Sequence, residues 1–513
     1  MRSALAVLVL SGCGGGRGEP TESMGTDTHA SLDECLSGAP VTWENFAQGF
    51  VQTWCTSCHS STLEGDARFG APVGLDLDTY DLVVPWGDVI LASATVDEPR
   101  MPPPGGTSAS DRALLAEWLR CGMPGAPDPV DPCTAPASAA GLTVASQSDA
   151  DALCAQSEGI TVTGGLTLTG DAVLDCVCTV DGDLMVSAQL HAPRLRAAGA
   201  VVLTDGAAVD LPVLESIGGL VVDGVQNADV ALPRLLRVDG GISVQRNPGL
   251  VSLALPRLVD VHGDVSVLDN PVLADLSSFD SVEVVEGDIT LSGNDTVTDL
   301  AVFSTLEQLG GDVDIGAHAT LFAVSGFTFV ESMAGSIRLH DLSAVRAGGF
   351  DKLVHLGGEL RVTDCEQLTA LDGFSRLETI DGSLHIERSP LLSSFASLGV
   401  LDAVGELVWV DNELATSLVG LQGLQTVDGP VVISGNGSLA AIGELDGLVT
   451  VGSLELSDNS GLASVAALHS LQNISGDLRV TDNPALGALE IDALVFAIDS
   501  GVGGTTTISG NGP

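Results

Sequence analysis

The chain is short of positive charge. Its 513 residues hold 19 lysines and arginines against 68 acidic residues, a formal charge of −49, and Lys352 is the one lysine. Such a surface repels phosphate backbones and anionic headgroups, which disfavours nucleic acid or a charged membrane surface as a partner. A cationic partner, divalent ions or plain solubility are left open by the excess acid. Signatures of hydrolysis are also missing: there is no His-Glu-x-x-His pair and no Gly-x-Ser-x-Gly elbow. His191, His262, His318, His340, His355, His385 and His469 are scattered through separate stretches of the chain from residue 191 onward. With no EF-hand loop and no Gly-Gly-x-Gly-x-Asp repeat, the many aspartates at turns read as solvated groups rather than calcium ligands. No apolar run beyond the first residues is long enough to span a bilayer.

What is present begins with Trp54-Cys55-Thr56-Ser57-Cys58-His59. Two thiols three residues apart, followed at once by histidine, form the attachment pattern of a covalently held haem: each sulfur adds to a vinyl group and the imidazole ligates iron. A structural zinc site would need a second ligand pair, and the next cysteine, Cys121, stands alone. A redox dithiol would need a βαβ context, whereas the residues before Cys55 carry a helical pattern. The pattern occurs once, so a di-haem arrangement is not expected.

Met1-Arg2, the apolar run Ala4 to Leu10 and Ser11-Gly12-Cys13 have the parts of a secretory signal. Leu10-Ser11-Gly12-Cys13 also resembles the bacterial lipobox, which implies cleavage after residue 12 and acylation of Cys13. Residues 13–31, rich in Gly, Thr, Ser and Glu, read as a flexible tether. The expected location is the cell envelope, at the outer membrane or surface of a Gram-negative bacterium; Gly14, at the sorting position, does not fix which membrane. Export is also where haem attachment of this kind and disulfide formation take place.

From residue 32 to 127 the pattern predicts helices. Trp43, Phe46, Ala47, Phe50, Val51 and Trp54 make one apolar face, with Thr42 as candidate N-cap. Leu114, Leu115, Trp118 and Leu119 make another on a helix ending at Arg120, with Ser110 as candidate cap. Short helices are expected over 78–84 and 87–94. Helix, haem motif, loops and closing helix resemble a class I cytochrome c domain, a small all-α fold with one haem. That resemblance implies Cys55 and Cys58 as covalent anchors, His59 as proximal ligand and a distal methionine from the loop before the last helix, where Arg100-Met101-Pro102-Pro103-Pro104 stands. Met101 is the expected ligand, with Met123, His29 or an open sixth position as competitors. If the terminal helices cross as in the family, Cys35 and Cys121 could meet as a disulfide.

Residues 128–140 read as a Pro-rich linker, and 141–513 as one repeat. Gly-x-hydrophobic-x-hydrophobic recurs from Gly164 through Gly476, settling at a spacing of 23 or 24 residues, with a degraded copy at Gly504. A period this short means a solenoid. Each unit reads as a short strand followed by an inward asparagine, at Asn247, Asn270, Asn294, Asn436, Asn459, Asn483 and Asn511, with Cys365 and Ser389 as substitutes. Stacked asparagines at a corner satisfy backbone groups that the turn leaves unpaired. The unit hydrophobic-x-x-Val-x-Gly-x-Leu-x-Val-x-x-Asn resembles the receptor L-domain, a β-helical relative of leucine-rich repeats whose faces bind proteins or sugars. It implies a parallel β-solenoid and a protein or glycan ligand, but transfers no binding residue. Cys133, Cys154, Cys176 and Cys178 cluster at the first coil, where disulfides would staple an exposed core end.

The sequence therefore describes a multidomain exported lipoprotein: a haem-binding, electron-transferring unit with an unknown redox partner, carried on a long solenoid for docking. Adhesion or recognition through the solenoid, with the haem as accessory, is the alternative.

Overall fold

The computed structural model describes residues 41–513, apart from 64, 69–70, 72–74, 96–106, 126–130, 227–228, 393–394, 417 and 499–500. Cys13, His29, Cys35 and Met101 lie outside the described residues. Contacts divide the chain into two compact units, Met1–Asp131 and Pro132–Pro513.

The described part of the first unit contains helices and no strand. Thr42 opens it with a reciprocal cap: its Oγ1 accepts from the Asn45 N–H at 3.3 Å while Asn45 Oδ1 accepts from the Thr42 N–H at 2.7 Å. The chain winds first as a wide π turn, Trp43–Ala47, then as helix α1, Gln48–Trp54. Trp43, Ala47, Phe50 and Val51 are buried, as their spacing requires. Helix α2 (Tyr80–Val83), a 3₁₀ turn (Val84–Trp86) and α3 (Gly87–Ala94) follow, and α4 spans Ala109–Arg120. The cap of α4 is Ser108, whose Oγ accepts from the Asp111 N–H at 3.0 Å, and not Ser110. Ser110 is already the second residue of the helix and bonds the Ser108 hydroxyl instead, at 2.7 Å. Leu114 also departs from the expected face and is exposed, while Leu115, Trp118 and Leu119 are buried. The Trp43 and Trp118 rings lie 5.8 Å apart, and the Pro124 carbonyl accepts from both the Trp43 N–H and Trp118 Nε1.

The second unit is a parallel β-solenoid of about 15 turns. The register is continuous: Val244, Val267, Leu291, Ile315, Leu339, Val362, Ile386, Trp409, Ile433, Leu456, Val480 and Ile508 stack in one column across successive coils. A single coil cannot cover its own apolar edge, so burial comes only from its neighbours. The glycine column has a steric cause. A Cβ at Gly263 would stand 2.7 Å from the Gly240 carbonyl carbon, inside contact distance, because the backbones of adjacent coils touch there.

The asparagine ladder forms as expected and is longer. Asn436 shows its bonding: Oδ1 accepts from the Asn412 N–H at 2.9 Å, and Nδ2 donates to the carbonyls of Trp409 and Ser434 and to Asn459 Oδ1 at 2.9–3.0 Å. Asn412 is a further member. Before most ladder positions the backbone turns left-handed, at φ of 51 to 58° for Asp269, Asp341, Asp364, Asp411, Asp458 and Asp482. Aspartate tolerates that region better than most residues, which accounts for the regular Asp before the ladder. Cys365 takes a ladder position: its N–H donates to Ser389 Oγ and its thiol faces the Thr363 carbonyl at 3.3 Å. Burial pushes that thiol up to about 12, which opposes thiolate chemistry.

His318 takes a ladder position, 24 residues after Asn294, with a side chain other than asparagine. Fully buried, it places Nδ1 3.1 Å from the Asn294 carbonyl and Nε2 3.2 Å from the Leu291 carbonyl. Burial lowers its pKa below the ordinary value of 6.5, outweighing those two carbonyls, which act in the opposite direction. The unfolded chain therefore takes up a proton more readily, and the solenoid loses stability as pH falls through about 6.5. Urea midpoints at about pH 7.5 and about pH 5.5 should differ less in His318→Asn than in the parent protein; equal differences would remove His318 as a cause.

A second spine was not anticipated. Phe279, Phe303, Phe327, Phe350 and Phe374 stack ring on ring with centroids 5.0 to 5.5 Å apart, all within the core. At the first coils Cys133 pairs with Cys178 and Cys154 with Cys176, closing the end of the core beside helix α5, Gln147–Cys154. Near the other end, helix α6 (Ala488–Ala497) is inserted before the final strand, Thr506–Ser509, and this explains the long last spacing. Among the described residues, no helix is long and apolar enough to cross a membrane.

Candidate functional site

Helix α1 delivers the Cys-x-x-Cys-His segment. Cys55 is its C-cap, donating its N–H to the Val51 carbonyl at 2.8 Å, and the Cys55 carbonyl accepts from Cys58 at 3.2 Å and His59 at 3.0 Å. Another tight turn thus follows the helix, and it carries both thiols and the imidazole. Cys55 and Cys58 are free thiols, each partly buried. Burial, and then the neighbouring Cys58, pushes the Cys55 thiol up to about 12. A redox Cys-x-x-Cys needs the opposite, an attacking thiol well below its ordinary pKa.

His59 is 5% exposed. Its Nδ1 lies 3.1 Å from the Leu75 carbonyl, which can only accept, so the proton sits on Nδ1. Nε2 then carries a lone pair, and it has no hydrogen-bond partner among the described residues. Burial holds the imidazole below its usual pKa; the Leu75 bond opposes this, Arg68 adds to it and Asp76 opposes it. The ring is therefore neutral and oriented, the state in which histidine binds a metal.

The loop from Ser60 to Leu77 is tied to this histidine. The Leu77 N–H donates to the His59 carbonyl at 2.8 Å, and the Ser61 N–H to Asp78 Oδ2 at 2.6 Å. At its centre is Arg68, 3% exposed. Its guanidinium donates to the carbonyls of Ser60 (2.8 Å), Ala71 (3.2 Å), Leu75 (3.2 Å) and Leu63 (3.4 Å). Nη2 also lies 2.8 Å from Asp76 Oδ1, in a direction that makes an ion pair but no hydrogen bond.

These donors are not arranged as a compact site for a single small ion. Among the described residues, the two thiols and the imidazole do not converge within 4.8 Å of one another. The one group that does, Cys154, Asp175 and Cys176, has both sulfurs in a disulfide. Trp54, Cys55, Phe46 and Trp86 line the same apolar cluster as Phe50 and Trp118. Of the other expected site residues, Cys121 is disulfide-bonded, and Cys35 lies outside the described residues. Met123 turns left-handed at φ 56° and packs against Gly87, where an added Cβ would come within 2.9 Å of its sulfur. It belongs to the core of this unit.

Sequence reasoning missed Arg68, Leu75 and Asp76. One signal was available: Arg68 is among only 19 basic residues, placed in a loop of small and apolar residues.

On the solenoid, four successive coils carry an ion-pair lattice. Arg338 bridges Asp312 and Glu359, Arg361 and His385 both meet Glu387 at 3.4 and 3.1 Å, and Arg388 forks onto Asp364 at 2.6 and 2.8 Å. Nearer the first coils a groove of about 510 Å³ holds His191, with Nδ1 2.7 Å from Asp210 Oδ2, and has no serine, threonine or cysteine in its lining. No protein-family model matches the chain, and no curated protein does.

Proposed function

We propose that the first unit is a monohaem c-type cytochrome that carries electrons, exported and anchored through an acylated Cys13, with the solenoid as its docking part. The geometry of His59 carries this reading: a buried neutral imidazole fixed by the Leu75 carbonyl with Nε2 bare, one residue past two free thiols. Cys55 and Cys58 would hold the haem through thioethers, His59 Nε2 would bind its iron, and Met101 is the distal candidate. Bound there, the haem supplies reversible one-electron exchange.

The chain's own part is electrostatic and steric. Leu75 holds the proton on Nδ1 and so keeps the other nitrogen available. Phe46, Phe50, Trp54 and Trp118 supply an apolar surround, which disfavours net charge and raises the potential. Thioether attachment consumes both thiols, so a Cys55 thiol pushed up to about 12 is no obstacle once the bond has formed.

The ion-pair lattice of the solenoid favours a second reading, recognition. It sets three arginines and a histidine among carboxylates of neighbouring coils. This suits the expected L-domain-like role, with a protein or glycan as ligand.

The test is a visible spectrum of the exported protein, oxidised and reduced, after denaturing extraction. Haem that stays with the polypeptide and shows a sharp reduced α-band is the expected result, as is a methionine-to-iron band that disappears in Met101→Ala. Colourless protein, or haem that extracts freely, would overturn the reading.

A further inference from the structure

We infer that Arg68 is the residue that sets the electronic character of His59, acting through the Leu75 carbonyl; the inference rests on the cytochrome reading above. Leu75 has one carbonyl oxygen and two donors on it: His59 Nδ1 at 3.1 Å and Arg68 Nη2 at 3.2 Å. The strength of the Nδ1 bond decides how much anionic character the imidazole passes to a metal on Nε2. A carbonyl that also serves a guanidinium has less electron density to offer, so His59 stays closer to a neutral imidazole. That destabilises the ferric state relative to the ferrous.

Charge works in the same direction. The guanidinium is almost wholly buried and shares a carbonyl with the His59 ring, and a buried cation beside a residue that would hold iron would oppose the loss of an electron. Asp76 is the counterweight. It pairs with Nη2 at 2.8 Å and is more exposed than the arginine, with 20% of its side chain open against 4%. Solvent screens the carboxylate more than the guanidinium, so the net local field is positive.

Arginine is the side chain this arrangement requires. Four carbonyls from Ser60, Leu63, Ala71 and Leu75 converge on one planar fork, and an ammonium group could not reach them together. A purely structural clamp would need the same contacts, so stability alone cannot separate the two roles.

The reduction potential separates them. In the full-length exported protein, matured with its haem, Arg68→Met is expected to lower the potential by removing both the charge and the second donor on Leu75. Asp76→Asn is expected to raise it, since the arginine stays and its counter-charge goes. Redox titration followed in the α-band reads both, and a denaturing gel stained for haem reports attachment. Opposite shifts support the inference. Haem attached in both variants at the parent potential would overturn it and leave the cytochrome reading intact. A parent protein without covalent haem would overturn that reading, and this inference with it. If Arg68→Met fails to mature, Asp76→Asn decides: an unchanged or lowered potential refutes the role, and a raised one sustains it.

Discussion

In Cys55→Ser/Cys58→Ser, haem that survives denaturing extraction is expected to fall from about one per chain to none. The two thiols are the only covalent anchors the motif offers, and both are free in the folded unit. The effect should be confined to attachment. Cys58 lies outside the apolar cluster, and Cys55 packs only at its edge, where a serine of nearly the same shape can stand. The variant is therefore expected to keep its helices in far-ultraviolet circular dichroism while losing absorbance in the Soret region. His59→Ala gives a useful contrast: it spares the thiols but removes the ligand and empties a buried site. A double-serine variant that retained extraction-resistant haem would show that the polypeptide holds it elsewhere, and the motif would lose its assigned role.

The second large effect is expected in the solenoid. Phe327→Ala removes a fully buried ring stacked between Phe303 at 5.5 Å and Phe350 at 5.0 Å. Deleting a buried phenylalanine typically costs about 3–5 kcal/mol. This one carries an added consequence, because its ring forms part of the interface between three coils. In a linear array, stability is largely a sum of such neighbour terms, so weakening two adjacent ones is expected to make local opening easier than global unfolding. Urea unfolding should show a lower midpoint and a broader transition, and hydrogen exchange should lose protection first in the coils around residue 327. A midpoint shift worth less than about 1 kcal/mol would mean that the spine is only filler. Phe327 also sits at φ 60°, a region in which a bulky side chain is rare, so part of the cost of its packing is already met by its neighbours.

Much of this protein was legible because the solenoid repeats. Every coil meets the same surroundings as the one before, so a residue the fold needs must recur at the coil spacing. Gly263 is small because Gly240 passes directly beneath it, and the same contact selects glycine in coil after coil. Asn270, Asn436 and Asn483 likewise repeat because the same turn needs the same bonds. The phenylalanine column had that period too and was overlooked, although its positions are as regular as the asparagines. The Cys-x-x-Cys-His segment stands out for a different reason: its three side chains lie within a short stretch of chain, so the motif proposed to hold haem can be read from spacing alone.

His318 keeps the ladder spacing, 24 residues past Asn294, but a histidine there shows its role only once the coils stack and bring its ring between two buried carbonyls. Other features had no period to show them. The sequence pointed to Ser110 as the cap, and only the path of the chain into α4 gives that role to Ser108. Arg68 is the fullest case. Its role depends on an irregular loop folding back so that residues 60, 63, 71 and 75 offer their carbonyls to one guanidinium, with His59 on the far side of the last. The sequence by itself determined the parallel coils, their ladder and the three adjacent groups Cys55, Cys58 and His59, because short-range spacing encodes all of these. Tertiary structure alone decided which carbonyl orients His59 and which cation shares it, because those contacts join residues whose separation follows no rule but the shape of the loop.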